Sequence, residues 1–137
     1  QPGSPCIRTA GGGQRGRHAL TVRPKSPYEI VRTAEIQPLP EDGGKVKNYS
    51  LFPDDENRRF AVYYLELDRE SYWESEPHLK GTTEFITIFA GKIEICADGH
   101  KFEVEKGESI RFKADTVHSY KNIGDKQVIL HMILYNP

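Results

Sequence analysis

The chain has 137 residues, a formal net charge of −1 and only two cysteines, which is enough for one domain of ordinary size. Residues 1–25 hold five of the 19 basic residues and none of the 20 acidic ones. The remaining residues therefore carry 14 basic against 20 acidic side chains, a net charge of −6. Such an acidic part is a poor nucleic-acid-binding surface, and two cysteines are too few for a disulfide framework. We expect reduced thiols.

No apolar run approaches the roughly 18 residues that a membrane-spanning helix needs. The N-terminus also lacks the charged and then apolar pattern of a secretory signal. We therefore predict a cytoplasmic protein with no membrane partner. Met132 is the only methionine, so the chain has no initiator residue. From this we expect a processed product or a piece of a longer protein.

Residues 1–27 predict a disordered, basic linker, because Gly, Pro and Ser recur there and apolar residues are few. Residues 28–137 predict the folded domain. Its first strands are expected at 28–31, 46–52 and 60–67, where aromatic and branched residues are frequent.

After Asp68 the predicted strands are short and evenly spaced, and turn signals such as Asp98-Gly99 separate most of them. No window shows sustained helical periodicity. This pattern predicts an all-β, single-domain antiparallel sandwich or jelly-roll barrel. The strands are expected near 77–80, 83–90, 92–97, 100–105, 108–113, 117–122 and 126–134.

Two stretches place imidazole and carboxylate groups where they can converge. Glu76 and His78 are two residues apart in a predicted strand and should face the same way. Glu84 shares its predicted face with Ile86 and Ile88, which are apolar and expected to point inward. A carboxylate on an inward face is costly unless it is paired, hydrogen-bonded or bound to a metal.

The second stretch places His118 in phase with Tyr120. If the two strands are neighbours, two imidazoles meet one or two carboxylates, a set that suits iron, manganese, nickel, copper or zinc. An alternative remains open: Glu76 and His78 are rim residues, and Glu84 and His118 are hydrogen-bonded polar residues without a metal. The predicted metal ligands are His78, Glu84, His118 and Glu76. The predicted ligand pocket adds Ile86 and Tyr120 to these four residues.

Three other side chains receive structural interpretations. Tyr72 and Trp73 precede the first stretch and could line the barrel mouth, although we favour a packing role on a surface or dimer face. His131 shares a face with Ile129 and Ile133 and is interpreted as a core histidine.

The two stretches resemble the two motifs of the cupin superfamily over about residues 60–137. In the first motif Glu76 stands at the first histidine position, while His78, Glu84 and Gly91 match the following positions. In the second motif the matches are Gly107, His118 and Asn122, whereas Lys113 and Asp115 replace a proline and a glycine. The resemblance implies a cupin barrel with an altered metal site.

A narrower resemblance covers about residues 26–137. The segment 50–53, Arg59-Phe60 and the segments 74–78 and 81–84 are similar to the C-terminal cupin domain of helix-turn-helix regulators of the xenobiotic-response-element type. The resemblance implies a homodimeric sensor of a small-molecule effector or a metal. DNA would be bound only through a helix-turn-helix domain that is not in this chain.

Two further functions remain open at this stage. A stand-alone metal-dependent cupin enzyme, such as a dioxygenase, isomerase or lyase, would use the same ligands, with Glu76 as a ligand or general base and Tyr120 as a proton donor. The other open function is that of a binding protein with a purely structural barrel. A sensor tolerates a changed metal ligand better than an oxygenase does, so we favour the sensor and assign no catalytic residue.

Overall fold

The computed structural model describes residues 4–5 and 26–137, so most of the predicted linker, with Cys6, lies outside the described residues. Within them the chain is almost entirely β-structure, and the only helices are 3-10 turns at Thr33–Glu35 and Asp42–Gly44. No helix in this part of the chain is long and apolar enough to cross a membrane. The strands are β1 (Ser4–Pro5), β2 (Leu39–Glu41), β3 (Val46–Phe52), β4 (Phe60–Leu67), β5 (Tyr72–Ser75), β6 (Thr83–Ala90), β7 (Lys92–Ala97), β8 (His100–Glu105), β9 (Ser109–Lys113), β10 (His118–Asn122) and β11 (Val128–Tyr135).

The strands form two antiparallel sheets. The five-stranded sheet has the order β1-β8-β7-β10-β5, and the six-stranded sheet has the order β2-β3-β4-β11-β6-β9. Because alternate residues of a strand point to opposite faces, each sheet contributes every second side chain to a shared core. That core includes Leu65, Ile86 and Leu130 of the six-stranded sheet and Ile93 and Ile95 of the five-stranded sheet. The predicted all-β antiparallel barrel is confirmed.

Hairpin turns fall where the sequence predicts them. Asp98 and Gly99 have φ values of 51° and 75°, the left-handed conformations that a two-residue turn between β7 and β8 requires. Gly91 has a φ of +84°, and a Cβ there would lie 2.8 Å from Cγ2 of Val128. The β6–β7 turn therefore needs glycine both for its backbone conformation and for its close contact with β11.

Two predicted strands are wrong. Residues 28–31 form no strand, and Tyr28 and Ile30 are largely exposed because no other strand pairs with them. Residues 77–80 lie in a loop, in which Pro77 has no N–H to donate and the N–H of His78 donates to Ala114 O at 2.9 Å. The strand of this region is β5, which ends two residues before Pro77.

Replacing Asn122 with alanine is expected to lower the free energy of unfolding by about 2–4 kcal/mol, because several buried backbone groups would lose their partner. The Asn122 side chain is buried and donates to Leu67 O at 3.0 Å and Lys126 O at 2.9 Å, and it accepts from Gly124 N–H at 2.9 Å. Urea denaturation measures the change. The exposed neighbour Lys121 is the control, and equal losses from Lys121→Ala and Asn122→Ala would contradict this role.

Candidate functional site

Three side chains converge between the two sheets. Glu84 is the second residue of β6 and His118 the first residue of β10, and both are 1% exposed. His78 reaches them from the loop before β6. The ligand atoms of His78, Glu84 and His118 all lie within 4.8 Å of one another, and no other set of three such residues in the described part of the chain converges in this way.

Two distances from the Glu84 carboxylate describe the spacing of the triad. Glu84 Oε2 lies 3.1 Å from His118 Nε2 and 3.5 Å from His78 Nε2. With a metal about 2.1 Å from each ligand atom, neighbouring ligands lie roughly 3.0 Å apart in octahedral and roughly 3.4 Å apart in tetrahedral coordination. The two distances from Glu84 Oε2 are close to these values, and all three ligand atoms lie within 4.8 Å of one another, so the group could hold a metal ion.

The hydrogen bonds of His118 also define which ring nitrogen faces Glu84. Nδ1 lies 2.7 Å from Thr116 O, and since a carbonyl oxygen only accepts, Nδ1 carries the hydrogen of that bond. Nε2 then faces Glu84 either as the N–H of an imidazolium or with its lone pair directed at a metal. The backbone contact to Thr116 thus holds the ring in the orientation that a metal-ligating histidine requires.

Tyr120 completes the surroundings of Glu84. Its hydroxyl donates to Glu84 Oε1, while His118 contacts Oε2, so both carboxylate oxygens have partners. The Tyr120 ring stacks on Trp73 with ring centroids 5.0 Å apart. Trp73 and Tyr120 are direct neighbours across β5 and β10. Packing and hydrogen bonding together hold the carboxylate in one orientation.

The pKa values follow from this arrangement. Burial raises the pKa of Glu84, but the hydrogen bonds from His118 and His78 and the charge of His118 outweigh it, and the pKa falls to about 2. Burial lowers the pKa of His118, yet its hydrogen bond with Glu84 and the charge of that carboxylate produce a net rise. Burial, and then the charge of Glu84, raises the pKa of Tyr120 well above its ordinary value. Near neutral pH, Glu84 is therefore ionised and Tyr120 protonated.

Two members of the triad, His78 and Glu84, line a cavity of about 60 Å³, which has room for a few water molecules or a small chemical group, whereas His118 is not among its lining residues. Its walls combine apolar and aromatic side chains with polar groups that include His78 and Glu84. Leu39 and Glu41 of β2 also line it, so this short edge strand borders the cavity. The other lining residues are Asn48, Tyr63, Trp73, Glu74, Ser75, His78, Glu84, Tyr120, Met132 and Leu134.

The predicted site residues differ in where the structure places them. His78, Glu84 and His118 come together, with Tyr120 beside them. Glu76 is half-buried in the loop and is not part of the triad, because the strand from which its direction was inferred does not exist. Its role as a ligand stays a prediction. Ile86 belongs to the core and does not line the cavity.

The cavity wall includes residues that the sequence analysis did not assign to it. Trp73, for which we favoured a packing role, lines the cavity. Tyr63, Met132 and Leu134 were missed, although each lies on a predicted strand. The sequence did not show which side of β11 faces the core, because both its faces are apolar, nor the pairing that places β11 between β4 and β6.

The two-sheet barrel and its two histidines and glutamate are features of a cupin. Residues 70–134 match the family model described as Cupin_2, a cupin domain. Residues 70–134, just under half of the chain, thus form a cupin domain, as the two motifs predicted.

Among cupins, the chain is similar to domains of transcriptional regulators. The HTH-type transcriptional regulator SutR of Escherichia coli (strain K12) is 34% identical over 88 residues, which are 64% of this chain and 49% of SutR. The chain thus spans about half the length of SutR. The Cupin_2 domain of an XRE family transcriptional regulator from Enterobacter cloacae is 28% identical with a TM-score of 0.64, covering 68% of this chain and 98% of that one. An HTH_3 family transcriptional regulator from Vibrio cholerae is 26% identical with a TM-score of 0.68, covering 77% and 57%.

Proposed function

We propose that this cupin domain is the effector-sensing and dimerising part of a cytoplasmic helix-turn-helix transcriptional regulator. The observation that carries the proposal is the His78–Glu84–His118 triad, of which His78 and Glu84 line a cavity, in a barrel that is similar to regulator domains. DNA would be contacted by a helix-turn-helix domain outside the described residues, since the two 3-10 turns found there are too short for one. Helix-turn-helix domains read paired half-sites, so the sensor is a homodimer.

The triad is proposed to hold one divalent transition metal. His78, Glu84 and His118 would supply two nitrogens and one oxygen, a set that suits iron, manganese, nickel, copper or zinc. When bound, the metal supplies a Lewis-acid site for an oxygen, nitrogen or sulfur atom of the effector. The protein then contributes the aromatic wall of Trp73 and Tyr63, against which the body of a small effector packs.

Strand β2 is proposed to carry the signal out of the cavity. Leu39 and Glu41 border the cavity, and the next residue, Asp42, accepts a hydrogen bond from the Tyr72 N–H at 2.8 Å. That hydrogen bond connects the β2 edge of the six-stranded sheet to the β5 edge of the five-stranded sheet. The chain preceding β2 leads towards the predicted linker, so an effector that displaces β2 would move the segment joined to that linker.

A metal-dependent cupin enzyme is the second candidate, favoured by one observation. The triad offers three protein ligands, which leaves coordination positions for water and substrate, as catalytic sites do. Tyr120 stays protonated at neutral pH and contacts Glu84, so a hydroxyl donor is also present. An enzyme would convert its ligand, whereas a sensor would release it unchanged.

Incubation of the metal-loaded chain with a set of small metabolites separates these two functions. A sensed effector should raise the melting temperature of the wild-type chain and be recovered chemically unchanged by mass spectrometry. Trp73→Ala should remove the stabilisation, because it removes part of the cavity wall, whereas Leu79→Ala, at an exposed loop position, should retain it. Conversion of a ligand by wild type but not by His118→Ala would instead establish an enzyme.

A further inference from the structure

The wall of the cavity beside the triad is negatively charged. Glu41, Glu74 and Glu84 line it, and none of its described lining residues is a lysine or an arginine. With His78 neutral, the three carboxylates give the wall a formal charge of −3, and a divalent metal held by the triad would still leave −1. A cavity lined by one sign of charge attracts ligands of the opposite sign and repels those of its own. The cavity therefore favours a cation over an anion.

The three carboxylates differ in how accessible they are to a ligand. Glu84 is 1% exposed, and both of its oxygens have partners within the protein. Glu74 is 8% exposed and accepts a hydrogen bond from the Tyr72 hydroxyl at 3.2 Å. Glu41 is only half-buried, because it lies on β2 at the edge of the six-stranded sheet. Glu41 is thus the lining carboxylate that a cation entering the cavity reaches most readily.

Aromatic and aliphatic side chains complete the wall around these carboxylates. Trp73 and Tyr63 are both half-buried and both line the cavity. The faces of aromatic rings attract cations, and the indole ring of tryptophan does so best. Leu39 and Leu134 add apolar surface. This combination suits an ammonium group on a short alkyl chain, because the carboxylate and the rings balance its charge while the apolar side chains pack against its methylene groups.

We infer that the effector of this domain is a small amine, and that Glu41 binds its ammonium group. The inference deepens the proposed function and rests on it, because it names the chemical class of the effector and the residue that recognises its charge. A cavity of about 60 Å³ admits an ammonium group and a short alkyl segment but not a large ring system. Glu41 belongs to β2, the strand proposed to carry the signal, so an ammonium group bound there acts on that strand directly.

Fluorescence titration of the full 137-residue chain tests this inference, because Trp73 is the only tryptophan and lines the cavity. The probes are propylammonium, 1-propanol and propionate, which are similar in size and are cationic, neutral and anionic, respectively. They are compared at neutral pH and constant ionic strength. Wild type should bind propylammonium at least about 10-fold more tightly than 1-propanol, because only the cation gains from the negative wall.

Titration of both the metal-free and the zinc-loaded chain separates this inference from the proposed metal site. The preference for propylammonium over 1-propanol should appear in both forms, because Glu41 and not the metal produces it. A chain that takes up no zinc but keeps this preference would contradict the metal site alone. A chain that binds zinc and lacks the preference would contradict the amine alone.

Two variants of Glu41 test the assigned residue on the metal-free chain. Glu41→Gln should lower the affinity for propylammonium at least about 10-fold and leave that for 1-propanol unchanged, because it removes the charge and keeps the size of the side chain. Glu41→Lys should reverse the order of the probes, so that propionate binds most tightly. Glu103→Gln is the matched control, since it removes the same charge from an exposed carboxylate 3.5 Å from Lys92, and it should behave as wild type does.

Circular dichroism confirms that each variant is folded, and Glu41→Gln decides the matter if Glu41→Lys unfolds. A wild-type chain whose fluorescence responds to none of the probes, or that binds propylammonium no more tightly than 1-propanol, would overturn the inference. An affinity for propylammonium that is the same in wild type, Glu41→Gln and Glu103→Gln would overturn it too, because the ammonium group would then not be bound by Glu41.

Discussion

Replacing His118 with alanine is expected to abolish metal binding while leaving the barrel folded. His118 is one of the three proposed ligands, and its Nε2 lies 3.1 Å from Glu84 Oε2. Losing one of three protein ligands weakens a site by far more than the 10- to 100-fold that loss of a surrounding hydrogen bond typically costs. The barrel should persist because its core of aliphatic residues from both sheets is unchanged. Isothermal titration with zinc measures the loss.

His131→Ala is the matched control, since it removes an imidazole from the outer sheet face, away from the triad. It should bind zinc as wild type does. Glu84→Gln should lose binding as His118→Ala does, because an amide oxygen is a weaker ligand than a carboxylate. If His118→Ala retains wild-type affinity, the triad is not the metal site; if the barrel unfolds, His118 is a structural residue.

The metal-free chain is expected to receive its largest stabilisation from the Glu84–His118 pair between about pH 4.5 and 6.5. The pKa of Glu84 is lowered from 4.5 to about 2, so its contribution is present above pH 4.5 and is lost as the pH falls towards 2. The pKa of His118 is raised from 6.5, so its contribution is complete below pH 6.5 and is lost as the pH rises through the folded-state pKa. Urea denaturation at a series of pH values measures this dependence.

Glu84→Gln should flatten the pH dependence, because His118 then has no anionic partner to hold its proton. Breaking a buried ion pair by removing one member typically costs about 3–5 kcal/mol, so the loss of stability should be largest inside that pH window. Glu103→Gln removes a carboxylate that lies 3.5 Å from Lys92 at the exposed surface, and it should change stability by less than about 1 kcal/mol. Equal pH profiles for wild type and Glu84→Gln would contradict the buried pair.

Strand phase was the part of the site that the sequence could predict. Glu84 lies on the same face of its strand as Ile86 and Ile88, and His118 lies on the same face as Tyr120. Their inward direction therefore followed from the two-residue period of a strand. The motif pair added that the two strands lie in one barrel. Glu76 was misplaced because strand alternation was applied across Pro77, where the chain has already left the sheet.

The pairing register of the strands, and the side of β11 that faces the core, were harder to predict. Both faces of β11 are apolar, with Leu130 and Met132 on one side and Ile129 and Ile133 on the other, so the pattern could not tell which side faces the core. His131 was assigned to the wrong side for this reason. The inner side is set by long-range pairing with β4 and β6, which a single sequence does not specify.

Elemental analysis of the purified chain, expressed without chelators or a histidine tag, tests the proposed metal site most directly. We predict about one equivalent of iron, manganese, nickel, copper or zinc per chain, retained in His131→Ala and absent from His118→Ala. A folded wild-type chain that contains none of these metals, and takes up none on reconstitution with each in turn, would contradict the proposed site. The cavity would then have to bind an organic effector without a metal.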